Sequence, residues 1–115
     1  MLFAEGKTMS HHIVYIMTES NEEALRIGHA LVQERLAACA NVLSGATSVY
    51  RWQDDIVEET EVPLIVKTRE DLIEDVIGKV VELHSYECPC IVTLPIATGN
   101  LAYLNWITAE TRAAT

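Results

Sequence analysis

Residues 48–68, SVYRWQDDIVEETEVPLIVKT, have the pattern of two long strands joined by a tight turn. In the second half, Val62, Leu64 and Val66 alternate with other residues, which is the period of a strand with one buried face. Gln53–Asp55 supplies the polar residues that favour a turn. Each arm, with the extended residues that flank it, exceeds the length of about five or six residues that is typical of strands. The stretch therefore predicts a long β-hairpin, around which the other elements are arranged.

Two residues predict that this hairpin is interrupted. Gly45, in the short segment SGAT, permits a bulge or bend in the extended chain that leads into the first arm. Pro63, in the second arm, has no amide hydrogen to donate to a strand ladder. We therefore expect an edge or a bulge near these positions.

A strand and a helix precede the hairpin. HIVYIMT, residues 12–18, is rich in β-branched and aromatic residues and predicts the first strand. Ser20 and Glu23 have the spacing of a capping box, which marks the start of a helix. Apolar residues then recur at helical spacing to about Arg35, where we expect this helix to end.

A second helix and a further strand follow the hairpin. Thr68 and Asp71 form another capping pattern, and the helical spacing that follows predicts a helix to about His84. CIVTLPI, residues 90–96, predicts the fourth strand, and a short final helix is expected after residues 98–100. The whole order is β-α-β-β-α-β with a terminal helix.

This order predicts an α+β fold of the ferredoxin-like kind, with one antiparallel sheet and helices on one face. A single domain is expected over residues 13–115, preceded by a flexible N-terminal arm at residues 1–12. Hairpin arms longer than the helices leave a ribbon whose unpaired edges favour aggregation unless another chain covers them. We therefore expect a closed homo-oligomer.

The amino-acid composition disfavours several classes of function. Seventeen acidic and eight basic residues give a net charge of −9, which disfavours binding to nucleic acid or to an anionic membrane surface. The longest apolar runs have five residues, as in Ile13–Met17, and are too short to span a bilayer. The first residues lack the pattern of a secretory signal, and three cysteines are an odd number for a disulfide framework. These features predict a cytoplasmic protein with reduced thiols.

The segment HSYECPC, His84–Cys90, concentrates the residues that could carry chemistry. Cys88 and Cys90 could hold a soft metal ion near His84, although C-x-C alone is a weak metal signal. A redox role is less favoured, because the pair opens a strand rather than a helix. We interpret Cys90 as a small buried residue, leave Cys88 open, and interpret Cys39 as a packed strand residue.

Four blocks of the sequence, ERLAACANVLSGATSVYRWQ, EVPLIVKT, HSYECPCIVTLPI and NLAYLNWI, resemble the CutA divalent-cation-tolerance family in order and spacing. The resemblance covers nearly all of residues 13–107. It implies a ferredoxin-like homotrimer, similar in architecture to PII signalling proteins, in which the long hairpin mediates assembly. It also implies a link to copper and other divalent cations.

The resemblance suggests which residues would bind metal. His84 is the ligand carried over from the family, and Met17 stands where members with a described copper site have a thiol near the end of the first strand. Cys88 completes the candidate set. A thioether and one imidazole suit copper(I) better than copper(II) or zinc.

Most aromatic residues lie in segments that the family uses for contacts between subunits. Because large amphipathic rings anchor interfaces, Tyr50, Trp52, Tyr103 and Trp106 are predicted to lie at the trimer interface. The sequence contains no nucleophile motif and no H-E-x-x-H helix, so we expect no enzyme activity.

Two alternatives to a copper-binding tolerance protein remain open. One is a PII-like regulatory module that binds a small ligand or a partner protein at clefts between subunits, where Arg51, Lys67 and Tyr86 would bind an anion. This alternative rests on analogy of fold alone. The other is a structural trimeric adaptor whose metal affinity is incidental.

Overall fold

The computed structural model describes residues 10–114 and contains five strands and three helices. In chain order these are β1 (His11–Thr18), α1 (Asn21–Gln33), β2 (Cys39–Val42), β3 (Ala46–Trp52), β4 (Asp55–Arg69), α2 (Ile73–Leu83), β5 (Ile91–Pro95) and α3 (Leu101–Glu110). A single 3-10 turn, Glu70–Leu72, joins β4 to α2.

The strands form one antiparallel arrangement in the order β2-β4-β1-β5, and β3 also pairs with β4. This confirms the predicted ferredoxin-like α+β fold, in which β2 and β3 together are the second strand. β1 begins at His11, so the last two residues of the predicted arm belong to the sheet. Residues 1–9 of that arm lie outside the described residues.

The long hairpin is confirmed, and it gives the molecule its elongated shape of 54 × 25 × 25 Å. β4 has 15 residues: its first half pairs with β3, and its second half pairs with β1 and β2. Gln53 and Asp54 form the turn with positive φ angles of 50° and 72°. Two consecutive left-handed residues suit the twist of a two-residue hairpin.

The predicted interruption is a bulge between β2 and β3. Val42 pairs with Leu64, and Ala46 pairs with Glu61, so residues 43–45 of one strand lie opposite residues 62–63 of the other. Such an extra residue bends a ribbon and increases its twist. The hairpin beyond the bulge therefore extends away from the four-stranded part of the sheet.

The cap of α1 is confirmed, whereas the predicted cap of α2 is wrong. The Ser20 side chain accepts a hydrogen bond from the Glu23 amide at 3.0 Å. Thr68 instead lies fully buried in β4, where its hydroxyl donates to the Leu36 carbonyl at 2.6 Å. Asp71 pairs with Arg69 at 2.8 Å. Continuation of β4 to Arg69 takes Thr68 out of the capping position.

The core lies between α1, α2 and one face of the sheet. Val14, Leu64 and Val66 on the sheet and Ile27 and Val76 on the helices are fully buried. α3 instead contacts the opposite face of the sheet, through residues near the C-terminal end of the helix. There the His11 ring bonds the Thr108 hydroxyl at 2.7 Å, and Arg69 donates to the Thr111 hydroxyl at 3.1 Å.

The rest of that opposite face is open. Val92 and Leu94 of β5 are 51% and 52% exposed, although they lie beside Tyr15 and Ile13 of β1. Among residues 10–114, no helix is both long enough and apolar enough to cross a membrane.

Candidate functional site

A cleft of about 660 Å³ opens between the projecting hairpin and the segment that joins α2 to β5. Its walls come from the end of β1, the two arms of the hairpin and the segment after α2. The lining residues are Met17, Ser48, Tyr50, Trp52, Val57, Glu59, Glu61, Ser85, Tyr86, Glu87, Cys88 and Cys90.

Strand alternation explains why the hairpin contributes these particular side chains. Tyr50 pairs with Val57, and Ser48 pairs with Glu59, so the four share one side of the ribbon. Glu61 follows Glu59 two residues later on the same side. Glu59 and Glu61 therefore face a cleft, although the acidic run that contains Glu59 has the appearance of a solvated surface in the sequence. Their shared parity with Val57 is the signal that identifies them.

The cleft is acidic and has no basic residue among its described lining side chains. Glu61 is only 7% exposed, and its Oε2 accepts a hydrogen bond from the Tyr86 hydroxyl at 2.8 Å. Burial raises the pKa of Tyr86 well above its usual value, and the hydrogen bond to Glu61 and nearby negative charges raise it further. A hydrogen bond to Glu59 likewise raises the pKa of Tyr50. Both phenols therefore remain protonated donors at neutral pH.

The His84 side chain is fully buried behind the cleft and uses both ring nitrogens. Its Nε2 lies 2.7 Å from the Met17 carbonyl, and the Tyr86 amide lies 3.0 Å from its Nδ1. A carbonyl only accepts and an amide only donates, so the ring is neutral with its hydrogen on Nε2. The ring would have to lose one of these bonds to coordinate a metal. Its observed contacts hold the end of β1 against the segment after α2.

The two thiols of the segment lie before β5 and are exposed. The interpretation of Cys90 as a buried residue is therefore wrong. Its parity with Val92 and Leu94 was the basis of that interpretation, but that row faces the open side of the sheet. Desolvation in the cleft and the negative charge of Glu61 raise the pKa of Cys90. Cys39 lies in β2, away from the cleft, and is partly buried.

The residues predicted to bind metal lie in two different places. Met17 and Cys88 line the cleft with Cys90, so three sulfur-bearing side chains share one cavity. His84 lies behind the wall. In residues 10–114, no three histidine, cysteine, aspartate or glutamate side chains are grouped so that they could hold a metal ion.

The residues predicted to bind an anion do not meet within one chain. Arg51 pairs with Ile56 and lies on the side of the hairpin opposite Tyr50 and Trp52. Lys67 is eleven residues beyond Ile56 along β4, roughly 36 Å at about 3.3 Å per residue. Its ammonium lies 5.6 Å from the centre of the Tyr103 ring. Only Tyr86 of the three lines the cleft.

The four aromatic residues predicted at the trimer interface form two separate groups. Tyr103 and Trp106 stack on α3, with ring centres 5.5 Å apart, and are 37% and 42% exposed. Tyr50 and Trp52 lie at the cleft and are 37% and 45% exposed. All four thus present ring surface at which a second chain could pack, and their role at an interface stays a prediction.

Three comparisons relate the chain to known proteins. The family model described as CutA1 divalent ion tolerance protein matches residues 12–110. A divalent-cation tolerance protein CutA of Thermus thermophilus is 48% identical over 99 residues, covering 86% of this chain and 96% of that protein. A chloroplastic CutA protein of Arabidopsis thaliana is 37% identical over 93% of this chain, which spans only 59% of that longer relative. The crystal structure of CutA1 from Oryza sativa superposes with a TM-score of 0.90 at 36% identity, covering 93% of this chain and 98% of that one.

Proposed function

Because this chain belongs to the CutA1 divalent ion tolerance family, we propose that it binds soft metal cations, copper(I) first, in its acidic cleft. The observation that carries the proposal is that the sulfur-bearing side chains of Met17, Cys88 and Cys90 line one cavity. Thiolate and thioether sulfurs favour copper(I) over hard cations. A cation would also be attracted by the carboxylates of that cavity.

His84 supports this wall by its hydrogen bond to the Met17 carbonyl. That bond fixes the backbone from which the Met17 thioether projects. A direct role of His84 as ligand stays a prediction, and it would require the ring to exchange a hydrogen bond for a metal bond. Groups that orient ligands commonly influence metal affinity without touching the ion.

The proposal includes a homotrimer and a cytoplasmic location. The exposed apolar row of β5, the stacked Tyr103 and Trp106, and the projecting hairpin all offer surface to a second copy. Tyr50 and Trp52 keep their predicted place at the interface, where a neighbour would close the open side of the cleft. The three free thiols suit a reducing compartment.

The proposed role is metal binding without catalysis. The names of the relatives describe tolerance of divalent cations and give no enzyme activity. The cleft supplies ligands and negative charge, and its two phenols remain protonated near neutral pH. Such a set of groups can bind and retain a cation.

Copper(I) titration in the absence of oxygen, against a competing chelator, tests the metal site. We expect Cys88→Ser and Cys90→Ser each to weaken binding by about tenfold or more, since loss of a ligand costs at least as much as loss of a group that orients one. Met17→Leu should have a smaller effect in the same direction. Cys39→Ser is the matched control, because it removes a thiol outside the cleft, and it should bind as the wild type does. Wild-type affinity in the Cys88→Ser/Cys90→Ser double variant would contradict the proposal.

A further inference from the structure

We propose that the aromatic part of the cleft binds a small organic cation, an alkylammonium ion, between the Glu61 carboxylate and the rings of Tyr50 and Tyr86. This ligand class differs from the metal cation proposed above. It would occupy the hairpin side of the cleft, whereas the sulfur atoms come from β1 and the segment before β5.

The first observation is a buried carboxylate without a cation. Glu61 is 7% exposed and forms no ion pair with any basic side chain in residues 10–114. Its Oε2 accepts one hydrogen bond from Tyr86, and no donor from the described part of the chain reaches its Oε1. Buried charges are stable when they are paired and fully hydrogen-bonded. Within residues 10–114, Glu61 therefore has no positively charged partner.

The second observation is the ring surface around that carboxylate. Tyr50 lies on the same side of the hairpin as Glu59 and Glu61, and Tyr86 reaches Glu61 directly. Trp52 pairs with Asp55, six residues from Glu61 along β4, and so lies farther out along the ribbon. Faces of tryptophan and tyrosine rings attract ammonium groups, and they do so more strongly when water is excluded. A volume of about 660 Å³ is within the range of roughly 300–1,000 Å³ for small-molecule sites.

The chemistry of the lining favours an alkylammonium over other ligands. Anions are disfavoured, because the described lining contains three carboxylates and no basic group. Hard divalent cations need several converging oxygen ligands, and the described residues form no group of three histidine, cysteine, aspartate or glutamate side chains that could hold a metal ion. An alkylammonium needs only one carboxylate, a few acceptors and apolar walls.

Binding of n-butylammonium to the purified, assembled, metal-free protein tests the proposal. Its neutral analogue is 1-butanol, which has the same alkyl chain and nearly the same shape. Isothermal calorimetry, with amide chemical shifts of the cleft residues as a second readout, should show saturable binding of n-butylammonium at least tenfold tighter than that of 1-butanol. Equal affinity for the two, or no binding of n-butylammonium, would overturn the proposal.

Variants identify the groups involved. Glu61→Gln removes the charge with little change of shape and should reduce the n-butylammonium affinity at least tenfold, towards that of 1-butanol. Glu58→Gln is the matched control, since Glu58 pairs with Val49 on the opposite side of the same ribbon, and it should leave the affinity unchanged. Equal losses in the two variants would overturn the assignment to Glu61. If Glu61→Gln does not fold, Tyr50→Leu takes its place with the same expected loss, and wild-type affinity in that variant would also overturn it.

A further comparison separates this site from the metal site. The Cys88→Ser/Cys90→Ser variant should retain n-butylammonium binding whether or not it retains copper. Loss of n-butylammonium binding in that variant would overturn the placement on the hairpin side, without bearing on the metal proposal.

Discussion

At the scale of single residues, buried Glu23 joins the two halves of the fold. Its Oε1 accepts a hydrogen bond from the Glu19 amide at 2.8 Å, and its Oε2 accepts one from the Ser85 amide at 2.7 Å. Burial alone would raise the pKa of Glu23, but these bonds lower it overall. The start of α1 is thereby tied to the segment that forms the cleft.

Glu23→Gln should lower the free energy of unfolding by about 1–3 kcal/mol at neutral pH, because the amide group of glutamine would face one of the two backbone donors. The contribution of Glu23 should be complete above its unfolded-state pKa of 4.5. It should be lost as the pH falls through its lower folded-state pKa, because the folded carboxyl releases its proton more readily than the unfolded one.

Urea unfolding at fixed protein concentration, at pH 7 and at progressively lower pH, measures this effect. Glu22→Gln is the control, since Glu22 is exposed in the same turn of α1. A difference between wild type and Glu23→Gln that stays constant down to strongly acidic pH would contradict the assigned role.

At the scale of elements, two glycines inside helices have different surroundings. A Cβ atom built on Gly78 of α2 meets nothing within 4 Å, whereas one built on Gly28 of α1 lies 3.1 Å from the Ala40 Cβ. The lack of a Cβ at Gly28 allows α1 to pack closely on β2. Gly78 has no packing reason of this kind among the described residues.

Gly78→Ala should therefore raise the free energy of unfolding by about 0.5–1 kcal/mol, the usual gain from replacing an exposed helical glycine. Gly28→Ala should lower it, because the Ala40 Cβ cannot rotate away and the helix must shift from the sheet. Thermal and urea unfolding of the two variants measure the contrast. A stabilised Gly28→Ala would show that α1 moves from β2 at little cost.

At the scale of the whole molecule, the open face of the sheet is the surface that most needs a partner. Val92 and Leu94 lie there beside Tyr15 and Ile13, and the hairpin extends from the same sheet. An uncovered apolar sheet face is unusual in a monomer. The proposed trimer would cover it with copies of the same chain.

Leu94→Asp should dissociate the assembly, because burying an unpaired carboxylate at an interface is costly. Val81→Asp on α2 is the matched control, since Val81 is 53% exposed and Leu94 is 52% exposed. Light scattering should give a mass of about three times 12.8 kDa for the wild type and for Val81→Asp, and a smaller mass for Leu94→Asp. A wild-type monomer, or a Leu94→Asp variant that remains trimeric, would contradict this interface.

The sequence by itself determined the order of the elements, the cap at Ser20, the long hairpin and the bulge near Gly45. These features depend on local periodicity and backbone preference, which are set by residues close together in the sequence. Tertiary structure alone decided which side of each element is covered. In the folded chain Cys90 is exposed, and both ring nitrogens of His84 form hydrogen bonds. Arg51 and Lys67 lie far apart, and Glu61 is buried without a basic partner among the described residues. Alternation shows which residues share a side of a strand, but the environment of that side depends on segments far away in the chain and on neighbouring chains.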